Sequence, residues 1–384
     1  MNRTKSCDVA VIGAGAFGAW TAWHLRQAGL SVLLLDAHGA ANSRASSGGE
    51  SRLIRMGYGP DALYACWSQR SLKLWKQLFR RIRRPLFHQT GVLWLASAND
   101  SYTPQNFSVL KKAEVPVERL SRAEIRQRFP QFSLADVSWA LFEPTSGVLM
   151  ARQAVQALVA EGVREGVEYR VGGALQPAGR GRLHAVKTET GERISAGVFV
   201  FACGPWLPKL FPKLLGNRIF PTRQEVFFFG APAGSRRFSP PSMPAWLHHG
   251  DEVYGVGDLE NRGVKIAFDF HGPAFDPETG RRTVSAEGLR AIRRYLARRL
   301  PALKDAPLVE SRVCQYENTA NGDFLIDCHP AYDNVLLVGG GSGHGFKHGP
   351  AVGEYVARLL TRGGPVEPRF SLASKGRARK RSVY

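Results

Sequence analysis

The sequence predicts an α/β (α+β) protein in which a parallel sheet with a glycine-turn βαβ unit carries an inserted domain built on a mixed or antiparallel sheet. Three observations predict it. The chain opens with "VAVIGAGAFGAWTAWHLRQAGLSVLLLDA", which reads as strand, glycine turn, amphipathic helix and second strand. The run "GVFVFACG" (197–204) is apolar without alternation, as a strand covered on both faces is. The middle, about 219–313, changes to short aromatic-rich strands such as "EVFFFG" and "KIAFDF", which belong to a second sheet.

The first strand covers 8–12, the helix about 16–28 and the second strand 31–35. Between them Gly13, Gly15 and Gly18 spell GxGxxG, and Asp36 follows at the end of the second strand. Glycines there let the backbone touch a pyrophosphate at the helix N-terminus, where unpaired N–H groups favour an anion, and the acid suits ribose hydroxyls. Strand, helix and acid together make this a Rossmann-like dinucleotide fingerprint rather than a chance glycine triplet. A helix at about 61–82 follows, then "TGVLWLA" as a strand. In "SRAEIRQRFP", Ser121 and Glu124 make a capping box for a short helix. After "FEPTSGVLM" a helix at 151–164 leads to "EYRVG", a hairpin and the strand at 197–204. A basic helix near 286–299 closes the middle segment. The expected division is 1–86, 147–218 and 315–384 for the dinucleotide domain, with 87–146 and 219–314 for the inserted domain.

Composition narrows the class. With 384 residues and 44% hydrophobic content the chain is long enough for two domains. No apolar run approaches the roughly 20 residues a membrane helix needs, and the N-terminus enters a strand without a signal-peptide core, so a cytoplasmic, membrane-free protein is expected. Five scattered cysteines without CxxC spacing argue against a disulfide framework or a metal site. Lys+Arg total 52 against 32 Asp+Glu, a net charge of +20, with clusters at "RRIRR", "RRYLARR" and the tail "SKGRARKRSVY". Charge of that size suggests nucleic acid. No nucleic-acid motif accompanies it, so a solvated surface and a disordered basic tail are expected instead. The final "SVY" also lacks an SKL-type peroxisomal address.

Near the end, "NVLLV" runs into "GGGSGHGFKHGP" (339–350), a glycine loop between a buried strand and a helix. Such a loop is either a tight turn or a place where a ligand needs the backbone close. The fingerprint, "SSGGESRLIRMGYG" (46–59), "FEPTSGVLM" (142–150), "GVKIAFDF" (263–270), "CQYENTANGDFLIDCHP" (314–330) and "GGSGHGFKHGPAVGE" (340–354) together resemble the monomeric sarcosine oxidase family, whose members oxidise N-methyl and cyclic amino acids. The likeness runs nearly end to end, with the motifs in family order.

The resemblance implies a Rossmann-like FAD-binding domain, with substrate held between it and an antiparallel sheet. It places Gly341, Gly343 and Gly345 along the flavin, with Ser47 and Val171 as further cofactor contacts. Lys347 and Arg55 match the pair that holds the substrate carboxylate, one a point charge and the other a planar fork. Arg52 matches an arginine over the opposite flavin face. Cys314 matches the cysteine joined to FAD through a thioether, and Cys203 is expected to pack beneath the cofactor. Lys265 matches a lysine that promotes the oxygen reaction, Tyr254 and Tyr316 match substrate-contacting tyrosines, and His344 falls on a loop histidine.

Two departures stand out. Close relatives carry paired histidines before the acid of the arginine motif, whereas Ser47 and Gly48 precede Glu50 here. Asp269 occupies a position where they have a histidine, which favours a cationic amine or a larger polar substituent over sarcosine itself. The implied reaction takes a hydride from a carboxylate-bearing secondary amine to flavin N5, then hydrolyses the imine and returns hydrogen peroxide from O2. The alternatives are a dehydrogenase with another acceptor and an RNA-directed flavoprotein. A monomer acting on a small amino acid, with no metal, is expected.

Overall fold

The computed structural model describes residues 6–377. The end of the basic tail and "SVY" lie outside the described residues. Five parallel strands run in the order Val335–Gly339, Arg193–Phe201, Cys7–Ile12, Val32–Asp36 and Glu168–Val171, with Leu325–Cys328 antiparallel at one edge. Ala185–Lys187 forms the expected hairpin onto Arg193–Phe201. Successive residues of the first strand feed different cores. Val9 and Val11 pack with Trp20, Leu25, Val352 and Val356, whereas Ala10 and Ile12 pack with Leu33, Leu35, Phe199 and Phe201. Burial on both faces explains the unbroken apolar runs. The helices Gly349–Arg362 and Ala151–Arg164 pack against Ala16–Gln27 on the first of these faces.

The second sheet runs Leu308–Thr319, Ile219–Phe229, Val264–Phe268, Val253–Val256, Ala245–His248, Val92–Ala96, Trp139–Glu143 and Glu118–Ser121. Every neighbouring pair is antiparallel except Ala245–His248 with Val92–Ala96. The basic helix Ala286–Arg299 covers one face through Ile292, Tyr295 and Leu296. On the opposite face Val226, Phe228 and Ala267 pack with Tyr254 and Cys314. The expected boundary at 314–315 falls inside Leu308–Thr319, which continues unbroken beside Ile219–Phe229. Cys314 therefore stands within this strand. A small third sheet joins Arg52–Ile54, Gly147–Leu149 and Phe87–His88.

Local chemistry sets the element ends. Ser121 and Glu124 form the expected capping box. The cluster "RRIRR" ends the helix Ala62–Arg81. Arg81 pairs with Glu161 and Glu165, and Arg83 takes the left-handed position (φ 53°) while the Arg84 N–H donates to the Phe79 carbonyl at 3.0 Å. Cations at that end offset the partial negative charge of the last carbonyls. In "RRYLARR", Arg299 is fully buried and donates to the Ser133 carbonyl (2.7 Å) and to Asp136 (2.6 Å). Part of the positive charge is thus structural, not a surface stripe.

Candidate active site

The parallel strands end around a cavity of about 390 Å³. Ile12 and Gly13, Leu35 and Asp36, Ala202 and Cys203, and Val338 reach it from four strand ends, which is where open α/β sheets place ligands. Gly13 has φ 107°, a conformation L side chains rarely adopt. Gly18 does not line the cavity. A Cβ on it would stand 1.8 Å from the Gly13 carbonyl oxygen, so its role is close helix–strand packing. Asp36 Oδ2 accepts the Ala14 N–H at 2.8 Å and Oδ1 the His38 N–H at 3.0 Å, and burial raises its carboxyl above the usual range. Val171 is 64% exposed and stands just outside the cavity lining, and the chain turns in at Gly172 and Gly173, which do line it.

Ser47, in the turn Ser46–Gly48, lies in the wall, as do Gly341, Gly343 and Gly345. Arg52, Cys314 and Tyr316 close the far end. Arg52 Nη2 donates to the Ser46 carbonyl (2.6 Å) and to Cys314 Sγ (3.2 Å), which sets a guanidinium beside the sulfur. Cys203 donates to the Ile12 carbonyl (3.3 Å), and burial pushes its thiol far up. The Tyr316 hydroxyl donates to Asp269 at 2.6 Å. Residues 314 and 316 share a strand face because side chains alternate.

Behind this wall stand buried cations. Lys265 is 3% exposed, with Nζ donating to the Ser51 carbonyl (2.8 Å) and lying 5.4 Å from the centre of the Tyr254 ring. Lys347 donates to the His344 carbonyl at 3.4 Å. Arg55 and Lys347 lie over one ring, that of Tyr58, at 4.6 and 4.9 Å. Arg55 also lies 4.9 Å over Trp94 and donates to the Gly57 carbonyl. Burial drives both lysines well below the ordinary lysine range, with Arg52 adding to the effect on Lys265 and Arg55 on Lys347. Rings and carbonyls therefore hold these cations in place of water.

Two supports were not assigned from the sequence. Glu143, in "FEPTSG", is wholly buried and accepts four hydrogen bonds: Met56 N–H (2.7 Å), Gly57 N–H (3.1 Å), Trp94 Nε1 (2.8 Å) and Ser146 Oγ (2.5 Å). It fixes the backbone just after Arg55. The other is the network Tyr58–His344–His348. His344 Nε2 faces the Gly322 carbonyl at 3.0 Å and so carries the proton, which leaves Nδ1 to accept from the Tyr58 hydroxyl at 3.1 Å. The Tyr58 oxygen then accepts from His348 Nε2 at 2.7 Å, and His348 Nδ1 has no partner among the described residues. Burial and the nearby Lys347 hold His348 far below its usual pKa, consistent with a neutral ring. His344 thus positions Tyr58 beneath the two cations.

The cavity fits a large polar cofactor. Its glycines present backbone instead of side chain: a Cβ on Gly15 would stand 3.2 Å from Ser47 Oγ and one on Gly341 3.3 Å from Glu317 Oε1. Two buried acceptor atoms of lining residues, Gln315 Oε1 and Glu317 Oε2, have no partner among the described residues.

Comparison with known proteins agrees with this chemistry. The family described as FAD dependent oxidoreductase (DAO) matches residues 8–359. A monomeric sarcosine oxidase of Streptomyces avermitilis is 31% identical over 370 residues, covering 94% of this chain and 95% of that protein. An N-methyl-L-tryptophan oxidase of Salmonella arizonae is 29% identical over 367 residues, covering 91% and 93%. Among solved structures, L-proline dehydrogenase from P. horikoshii superposes with a TM-score of 0.82 at 22% identity over 96% of this chain and 97% of its own. No helix among the described residues is long and apolar enough to cross a membrane.

Glu143 yields the first test. Glu143→Ala leaves four donors without their acceptor in a dry site, so unfolding free energy should fall by at least about 3 kcal/mol. Glu143→Gln keeps the shape but sets N–H against N–H, and should lose less. Thermal melts of the three proteins check this, and an unchanged melting temperature in Glu143→Ala would contradict the supporting role.

Proposed function

The chain belongs to the FAD dependent oxidoreductase family, and on that premise we propose that it oxidises a secondary-amine amino acid, N-methyl or cyclic, with O2 as acceptor. The observation that carries the reading is the pair of buried cations, Arg55 and Lys347, over the single Tyr58 ring beside the glycine loop. A carboxylate between them takes a bidentate fork from the guanidinium and a point charge from the ammonium. It also relieves their mutual repulsion.

Gly13, Gly15, Asp36, Ser47, Gly341, Gly343 and Gly345 would hold FAD, which when bound supplies a two-electron acceptor for the substrate C–H bond. The chain's own groups bind and orient. Arg55 and Lys347 fix the carboxylate, Tyr254 and Tyr316 bound the pocket, and Asp269, tied to Tyr316, offers negative charge toward a cationic or hydrogen-bonding substituent on nitrogen. Loss of hydride and proton turns the amine into an imine, which water hydrolyses. Oxygen takes two electrons and two protons to become hydrogen peroxide. Lys265 stabilises the anion formed by the first of those electrons, because charge that burial disfavours becomes favourable once a negative partner forms nearby. Cys314 would hold FAD through a thioether, a linkage that costs the thiol proton and one carbon-bound hydrogen of the cofactor and leaves two electrons for oxygen to accept. Its support is the place of Cys314 in the cavity wall beside Arg52.

Purified protein should release peroxide with N-methyl or cyclic amino acids and stay yellow after acid precipitation, whereas Cys314→Ala should shed its flavin. Colourless precipitate from the unaltered protein would refute the thioether.

Removing either Arg55 or Lys347 should weaken a carboxylate inhibitor about ten- to a hundredfold, from the roughly 1.5–3 kcal/mol of a charge-assisted hydrogen bond. The pH dependence has a definite sign. Lys347 has a depressed pKa that a bound carboxylate raises, so inhibitor affinity should be full at lower pH and fall as pH rises through the depressed value. Lys347→Met should bind weakly with that decline abolished. Equal affinity and an equal pH profile in variant and parent would sink the carboxylate assignment.

Lys265→Met keeps much of the bulk and removes the charge. Stopped-flow should find anaerobic flavin reduction little changed and reoxidation by oxygen slowed by orders of magnitude. Fast reoxidation would turn the reading toward a dehydrogenase.

A further inference from the structure

Glu317 is the one carboxyl in the cavity wall with a fully buried, unpartnered oxygen among the described residues. It projects from the strand Leu308–Thr319 between the turn at 202–204 and the glycine loop, and it is 8% exposed. Oε1 accepts the Gly341 N–H at 3.2 Å. Glycines leave room for the other oxygen: a Cβ on Gly339 would stand 3.2 Å from Oε2, and one on Gly204 3.9 Å. Asp36, by contrast, has both oxygens occupied by backbone N–H groups.

Among the described residues, none sets a counter-charge against Glu317. The turn at 202–204 brings the Cys203 thiol, which the Glu317 charge helps push up. The glycine loop brings the backbone N–H groups of Gly340 and Gly341, and the paired strand brings Pro221. Arg52 closes the cavity's other end, where it is engaged with Ser46 and Cys314. Burial pushes the Glu317 carboxyl up to about 7, and the two glycine N–H groups only partly offset it.

We propose that Glu317 holds FAD as a protonated acid, with Oε1 kept on the Gly341 N–H and the Oε2 hydroxyl donating into the cavity to an acceptor atom of the cofactor, so that FAD binding takes up a proton. The inference rests on the FAD reading above. A neutral carboxyl has one donor, and with Oε1 already accepting, that donor sits on the oxygen that lacks a partner. A bound cofactor removes the remaining solvation of the carboxyl and raises its pKa further. Below the free-protein pKa the acid is protonated with or without FAD, and affinity is level. Above it, binding must draw a proton from water, and affinity falls by up to about tenfold per pH unit until the pKa of the complex is passed.

The test uses full-length protein carrying Cys314→Ser, so that flavin exchanges, and reads FAD affinity by fluorescence quenching from about pH 6 to about pH 9. The parent should weaken progressively above neutrality. Glu317→Gln presents an amide N–H donor at every pH while its oxygen serves Gly341, so it should bind with a level profile. Glu317→Ala should bind at least about tenfold more weakly at the acid end. Calorimetry of the parent near neutral pH, in buffers of different ionisation enthalpy, should register proton uptake and needs no change at 317. Equal pH slopes in the parent and Glu317→Gln, or no proton uptake, would overturn the role of Glu317 while leaving FAD binding intact. No FAD binding at any pH would overturn both.

Discussion

The structure turns on keeping positive charge out of water beside the glycine loop, where groups from separate parts of the chain meet. Arg55, Lys265 and Lys347 are each no more than 4% exposed, and an isolated buried cation is among the costliest groups a fold can hold. Each is therefore surrounded by substitutes for solvent. Tyr58 lies under two of them, the Ser51 carbonyl receives the third, and Glu143 fixes the backbone that carries Arg55. Glu143 comes from the second sheet, and Ser51 and Tyr58 flank the short strand Arg52–Ile54 of the third, so the site exists only when segments distant in sequence are folded together.

The same constraint explains the glycine loop. Lys347 reaches Tyr58 because the chain turns sharply after Val335–Gly339, with Gly340 and Gly343 at positive φ, before entering the helix Gly349–Arg362. That helix lies close against Ala16–Gln27: a Cβ on Gly353 would stand 2.5 Å from the Trp20 carbonyl carbon. One loop thus serves cavity wall, buried lysine and helix packing together. From the other side, Leu308–Thr319 carries Cys314, Gln315, Tyr316 and Glu317 into the cavity wall while pairing along its length with Ile219–Phe229.

Much of this was legible in the sequence where local pattern and chemistry coincide. The GxGxxG turn with Asp36, the capping box at Ser121 and the helices Ala151–Arg164 and Ala286–Arg299 all follow from periodicity and caps. What escaped depends on contacts far apart along the chain. Nothing local to "FEPTSG" assigns Glu143, and only its approach to Met56 and Gly57, 87 and 86 positions away, reveals its role. The Tyr58 hydroxyl bridges two histidines 286 and 290 positions distant. Val171 is named by the resemblance alone, and in the structure the cavity lining begins one residue later, at Gly172 and Gly173. Glu317 has polar neighbours in "CQYENT", and nothing local says that its second oxygen lacks a partner.

The central claim is that a buried pair of cations selects a carboxylate-bearing secondary amine for oxidation by bound flavin. The most direct measurement mixes the yellow protein anaerobically with an N-methyl or cyclic amino acid, and separately with the methyl ester of the same compound, while following the flavin colour. The account predicts rapid bleaching by the acid and bleaching at least about a hundredfold slower by the ester, which offers no charge to Arg55 and Lys347. Equal rates for the two, or no bleaching by any secondary-amine amino acid, would contradict it.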